Sequence, residues 1–328
     1  MKVLYCNPSG GAFQYITASI VRCLNSAGIE TKRWDGDPNG VRNFRPDLYM
    51  GCSGHRQDFP VWARSEFGTK VGIHVNPYAS NPMPRVYGND INESKSACDW
   101  VIGQKPDFVY CYADGEQINK WYHLWKDRHG FPIVPMENAG DPILYHPVPK
   151  SDEFSYDIGF LGGRWGYKAH NLDRLIKPLL KKYRCGLFGW GGWDNNRSLS
   201  DEEGNRLFAS SKVCPAVSEP HTTQYGVDIP ERVFKIPLSG GFTICDKVHD
   251  FARLSGGVIP MAKDDKEWFD LIEYYLKHDD ERAELAKKQF THIMSNHTYY
   301  DRMANLFMKV GQGDQVSKLL AYKHTLCA

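Results

Sequence analysis

No stretch of the 328-residue chain approaches the ~20 consecutive apolar residues that a bilayer span needs, and no segment repeats or is of low complexity. Net charge is almost absent: 40 Lys plus Arg offset 39 Asp plus Glu, so no global basic field announces a nucleic-acid partner. A small or neutral main ligand is expected, with a local basic cleft still open. The nine cysteines include no Cys-x-x-Cys pair and are scattered. Neither a zinc site nor a disulfide framework is expected, only reduced thiols in a cytoplasmic setting. Gly-x-x-x-x-Gly-Lys-Ser/Thr is missing, which removes the common ATPase reading, and "PSGGAF" departs from the Gly-x-Gly-x-x-Gly turn of nicotinamide enzymes. "MKVLYCNPSGG" is expected to be a first strand and not a signal peptide.

What is present is a soluble globular composition, 41% hydrophobic and 24% charged, with length enough for two ordinary domains. "KVLYC" leads through the turn "NPSGG" into Phe13, Ile16, Ile20, Val21 and Leu24 at helical spacing, until Gly28 ends the helix and "IETKRW" opens a second strand. Apolar runs then recur in "DLYMGC", "KVGIHV", "DWVIG", "FVYCY" and "FPIVPM", the pattern of a parallel sheet with connections between its strands. "ENAGDPILYHPVPKSDEF" (137–154) carries three prolines and reads as a connector. A second alternation follows in "YDIGFLGG", the helix "NLDRLIKPLLKKY", "CGLFGW", "SSKVCPAV" and "GFTIC". The expected fold is α/β, two doubly wound Rossmann-like domains facing a central cleft. Its boundaries fall at 1–146 and 147–310, with a tail over 311–328.

The stretch "DIPERVFKIPLSGG" (228–241) carries the chemistry. Asp228 fits an N-cap, Pro230 the first turn and Glu231 the third helical position, which together make a capping box. Arg232, Lys235 and Ser239 fall on one face of that helix, and Pro237 should bend or shorten it. Such a face suits a diphosphate, although on pattern alone a solvated charged face is the commoner fate of such residues. In "GFLGGRWGYK" (159–168), Gly162 and Gly163 end an apolar strand and let backbone amides approach an anion, while Arg164 and Lys168 can neutralise it. A plain strand-to-helix turn explains the glycines but not both cations. Asp35-Gly36-Asp37 has the form of a metal-holding Asp-x-Asp and reads better as a turn. Trp121, Tyr122 and Trp125 have core spacing, whereas Trp190 and Trp193 lie among glycines. Lys177, Lys181, Lys182 and Arg184 form a local basic cluster.

"FASSKVCPAV" and "YGVDIPERVFKIPLSGGFTICD", with "LIEYYLKHDDERAELAKKQFTHIMSNHTYYDRM", resemble the C-terminal domain of CgeB-like glycosyltransferases of the GT-B fold. "ENAGDPILYHP" resembles the domain crossing of the retaining, glycogen-synthase-like group. The resemblance covers roughly 137–309; the N-terminal half agrees only in layout. It implies a nucleoside-diphosphate sugar, a UDP-sugar first, as co-substrate with no other cofactor and no metal. Transfer would go to a hydroxyl of a small molecule, glycan or protein, with retention; modified DNA is the second choice of acceptor, and a non-catalytic sugar-nucleotide-binding relative the other alternative. By the same resemblance Arg164, Lys168, Arg232 and Lys235 would serve the diphosphate, and Tyr225, Gly226 and Asp228 the nucleoside side. Ser9, Gly10 and Gly11 would make room near the reaction centre, with His74 beside the transferred sugar. Related enzymes carry Glu where this chain has Lys235; either Glu231, one turn earlier, would replace that carboxylate or the donor would be gripped differently.

Overall fold

The computed structural model describes residues 1–8, 10–80, 83–193 and 197–327. The chain divides into two compact units, 1–138 with 299–328, and 139–298.

The first unit opens as read from the sequence, with β1 (Lys2–Cys6), α1 (Gly11–Ser26), β2 (Glu30–Trp34), α2 (Pro38–Phe44), β3 (Leu48–Cys52), α3 (Val61–Phe67) and β4 (Lys70–His74). Then come α4 (Lys95–Gln104), β5 (Phe108–Cys111), α5 (Gly115–Gln117), a π turn at Ile118–Tyr122, α6 (Leu124–His129) and β6 (Ile133–Pro135). All six strands run parallel in the order β2-β1-β3-β4-β5-β6. Every residue of β3 and β5 is buried, as their unbroken apolar runs require. Gly72 in β4 faces Phe108 of β5, and a Cβ there would lie 2.3 Å from the ring. Gly72→Ala is expected to cost roughly 1–3 kcal/mol, read as a lower urea midpoint, with partial recovery in Gly72→Ala/Phe108→Leu.

"DWVIG", expected among the strands, belongs to α4. Ser94 caps that helix by accepting from the Ala97 amide at 3.1 Å, and Ala97, Cys98 and Val101 turn inward at helical spacing. Asp35 and Asp37 form the turn: Asp35 accepts from the Asp37 amide and Asp37 caps α2.

The second unit contains β7 (Ile158–Leu161), α7 (Lys168–Leu175), β8 (Cys185–Phe188), α8 (Asp201–Ser210), β9 (Cys214–Ala216), α9 (Pro220–Tyr225), α10 (Arg232–Leu238), β10 (Thr243–Cys245), α11 (Ala252–Ser255), α12 (Asp265–Lys277) and α13 (Asp279–Asn296). β8 pairs with β7 and β9 with β10, all parallel. A bridge from Ile158 to Val213 joins the pairs and one from Cys245 to Met261 extends them, giving β8-β7-β9-β10 with Met261 beyond. Its first four members thus repeat the 2-1-3-4 order of the first sheet.

The return to the first unit is made by α14 (Tyr299–Lys309) and α15 (Gly313–Cys327). Residues 299–310 therefore do not belong with the second unit: Tyr300 Oη meets Ser26 Oγ at 2.6 Å, and Arg302 donates to the carbonyls of Glu137 and Asn138. In place of the expected tail, α15 buries Val316 and Leu319 and ties Lys323 to Asp301 at 2.5 Å. The first boundary falls at 138 and not 146, because Tyr145 packs in the core of the second unit and Asp141, fully buried, caps the local turn. Among the described residues no helix is long and apolar enough to cross a membrane.

Candidate functional site

In the second unit the strand order reverses at β7, with β8 on one side and β9 on the other. The carboxyl ends of β7 and β9 meet at this reversal, the position where open α/β sheets bind ligands. The β7 loop delivers Lys168 at the start of α7; the β9 loop delivers Glu219, just ahead of α9. Lys168 Nζ lies 3.4 Å from Glu219 Oε1, and the lysine side chain is only 8% exposed. Arg232, first residue of α10, is also buried and places its guanidinium 4.9 Å from the Phe160 ring centre. Its Nη1 abuts the Gly162 backbone, where an added Cβ would be 3.1 Å away.

Carboxylates surround these two cations, Glu219 for both and Asp246 near Arg232, yet the hydrogen-bond donors of Arg232 are not all used. Among the described residues Nε and Nη1 of Arg232 have no hydrogen-bond partner. Burial, then the neighbouring Arg232, pushes the Lys168 ammonium down to about 8, with Glu219 pulling the other way. Burial likewise lowers Arg232 from its ordinary value. Asp246 does not offset them by contact: it accepts from the Ser218 amide at 3.0 Å and from Thr223 Oγ1 at 3.4 Å, and burial pushes it up to about 6. A buried cation pair with orphan donors is matched by an anion with several oxygens, such as a diphosphate.

The rim is polar and aromatic. Tyr167 Oη bonds both Glu219 and His221 Nδ1, while His221 Nε2 lies 3.4 Å from an oxygen of Asp228. Asp228 sits at φ 57°, a left-handed position that aspartate tolerates. It is therefore not the cap of a helix, and α10 begins later than expected. Glu231 makes no cap bond; the capping box of this unit is Ser200 with Glu203, on α8. Tyr225 ends α9 and is buried, with Gly226 at φ 68° after it.

The expected cationic face splits. Lys235 pairs with Glu231 at 2.7 Å and lies 5.1 Å from the Tyr145 ring centre, with both charged side chains nearly buried. Burial alone would lower the Lys235 ammonium, but Glu231 and Tyr145 outweigh it and hold it well above its ordinary value. Glu231 is thus the ion-pair partner of Lys235. Arg164 forks onto Asp173 through bonds of 2.7 and 2.6 Å, which pulls Asp173 down to about 2. Gly163 backs onto the Trp190 indole. Of the four expected cations, Lys168 and Arg232 come together. Glu219 and His221 were missed; the "SEPH" run directly after a strand, with proline opening a helix, was the available signal.

In the first unit Gly10 and Gly11 form the turn between β1 and α1, Gly11 at φ 70°, and a Cβ at either would meet nothing within 4 Å. Ser9 lies outside the described residues. His74 ends β4, buried, its Nδ1 3.8 Å from Cys52 Sγ and its ring 4.3 Å from that of Tyr112 and 5.4 Å from that of Phe13. Burial pushes the Cys52 thiol up to about 12, so it stands as a neutral neighbour.

Residues 169–308 match the profile of a family described as glycosyl transferase-like. No curated protein matches. Among solved structures the chain is similar to sucrose-phosphate synthase from Thermosynechococcus elongatus, at TM-score 0.63 and 10% identity over 94% of this chain and 99% of that one. It is also similar to HepE of Anabaena in complex with UDP-glucose, at TM-score 0.58 and 12% identity over 98% and 99%. An alpha-glucosyltransferase in complex with UDP and a 13-mer DNA gives TM-score 0.62 and 8% identity over 95% and 99%. The fold is that of the GT-B glycosyltransferases.

Proposed function

We propose that this chain is a glycosyltransferase that moves a sugar from a nucleoside-diphosphate donor, a UDP-sugar first, to an acceptor hydroxyl. The observation that carries this reading is the buried Lys168–Arg232 pair at the strand-order reversal, with two orphan guanidinium donors and Glu219 as its close carboxylate. In the transfer the bond from the anomeric carbon to the diphosphate breaks, and the electron pair leaves with the phosphate. The acceptor oxygen bonds to that carbon and its proton passes to the departing diphosphate or to water. Negative charge grows on the leaving group as the bond breaks, and Lys168 and Arg232 are already fixed to receive it. They supply the charge that a divalent ion supplies in other transferases. Arg164 and Lys235, each committed to a carboxylate, are not asked to hold the donor. In the first unit the open Gly10–Gly11 turn and His74 are assigned to the reaction centre. Retention is supported by the resemblance of "ENAGDPILYHP" to the retaining group.

Purified protein with UDP-glucose, and with GDP-, ADP-, CMP- and dTDP-linked sugars, tests the reading. At least one should raise the melting temperature and release its nucleotide slowly without an acceptor, equally with and without EDTA. Absence of any shift and any release across the panel would overturn it.

A further inference from the structure

Beyond β8 the chain runs Gly189-Trp190-Gly191-Gly192-Trp193. Trp193 is buried and donates from Nε1 to the Gly162 carbonyl at 2.7 Å. Trp190, by contrast, is 61% exposed. Its exposure is not that of a loose loop, because the backbone on both sides is fixed. The Gly162 amide donates to Phe188 and the Arg164 amide to Trp190, at 2.8 and 2.9 Å, so the loops after β7 and β8 stay paired past the end of the sheet. Gly189 and Gly191 take φ of 118° and 94°, and a Cβ on them would come within 2.6 Å of the Gly162 oxygen and 2.0 Å of the Arg164 oxygen. Both obstacles are backbone, so neither position admits a side chain. One side of the indole rests on the bare backbone of Gly163, where a Cβ would strike the ring at 2.9 Å. The result is a fixed indole with one side covered and the rest offered to solvent.

The same loop touches the cation pocket. Gly162, one residue earlier, abuts Nη1 of Arg232. The guanidinium and the indole therefore meet adjacent residues of one loop, Gly162 and Gly163. Trp165, 38% exposed, stands edge-on to Tyr167, whose hydroxyl reaches Glu219.

We propose that Trp190 is the platform on which the nucleobase of the donor stacks. This rests on reading Lys168 and Arg232 as the diphosphate site. A fixed ring on the loop that also meets Arg232, whose Nε and Nη1 have no hydrogen-bond partner among the described residues, fits a ligand that is planar at one end and anionic at the other. An apolar protein surface would leave the Arg232 donors unmatched, and inorganic phosphate would leave the ring unused. Stacking engages the π-face that every base has, so the platform fixes where the base lies without selecting which base it is.

The test compares wild type, Trp190→Ala and Trp190→Phe by calorimetry against UDP, GDP, ADP and inorganic pyrophosphate. The ring is exposed, so both variants should keep the melting temperature of the ligand-free protein. Trp190→Ala should weaken every nucleotide that binds wild type by roughly tenfold to a hundredfold, while Trp190→Phe restores most of the loss. Pyrophosphate affinity should stay within about twofold in both, as it reports the cations alone. Unchanged nucleotide affinity in Trp190→Ala, or an equal loss for pyrophosphate, would overturn the platform and leave the diphosphate site standing. Failure of wild type to bind pyrophosphate and all three nucleotides would overturn the site and the platform together.

Discussion

Replacing Arg232 by methionine should weaken UDP binding roughly 100-fold or more, while the melting temperature of the ligand-free protein stays level or rises. The guanidinium is buried, two of its nitrogens have no hydrogen-bond partner among the described residues, and its carbon lies 4.9 Å from the Phe160 ring centre. Methionine keeps that apolar contact and removes a desolvated charge. What disappears is the set of donors waiting for an anion, each bond to a charged group contributing about 1.5–3 kcal/mol. One turn along the same helix, Lys235→Met should do the reverse. It strips Glu231 of its ion pair and leaves a buried carboxylate alone, which costs about 3–5 kcal/mol of stability, yet UDP affinity among the folded molecules should hold. Calorimetric titration and urea unfolding of both variants measure this crossed pattern. A loss of binding confined to Lys235→Met would place the diphosphate on the other side of α10.

That split between Arg232 and Lys235 marks the limit of what the sequence could tell. Whereas β2, ETKRW with three exposed residues, was read from its place after Gly28, central strands such as β3 and β5 were legible because a parallel strand covered on two faces must be an unbroken apolar run. "DWVIG" has the same look but is too short for its periodicity to separate helix from strand; Ser94, the cap that decides it, stands outside the run. α15 escaped notice because it buries only one stripe, Val316, Leu319 and Lys323. Helical spacing put Arg232 and Lys235 on one face, but a face is broad and each cation goes to whichever group is near. For Lys235 that group was visible: Glu231 precedes it at i, i+4, the order that favours a mutual pair. For Lys168 it was not, since Glu219 lies 51 residues away and meets it only where β7 and β9 become neighbours. Spacing reaches one or two helical turns; charge balance in a pocket depends on topology.

UDP affinity should be level up to about pH 8 and then fall by up to tenfold per unit, reaching roughly 100-fold by pH 10. Lys168 sets this window, with its ammonium lowered from 10.5 to about 8 by burial and by Arg232. Between those values the unfolded chain holds a proton that the folded chain has given up. The stability cost of burying this ammonium is therefore fully present below about 8 and is relieved as the pH rises toward 10.5. Binding follows the opposite course. A bound diphosphate favours the charged lysine, so the complex keeps the proton that the free protein loses, and affinity is greatest where the free protein already carries it. Phosphate groups are fully ionised throughout this range and Arg232 stays charged, so neither contributes a slope. Lys168→Met should bind more weakly at pH 7 and show no step between pH 7.5 and 10, meeting the falling wild-type curve at the alkaline end. A wild-type affinity that stays level to pH 9.5 would mean that the lysine does not face the anion.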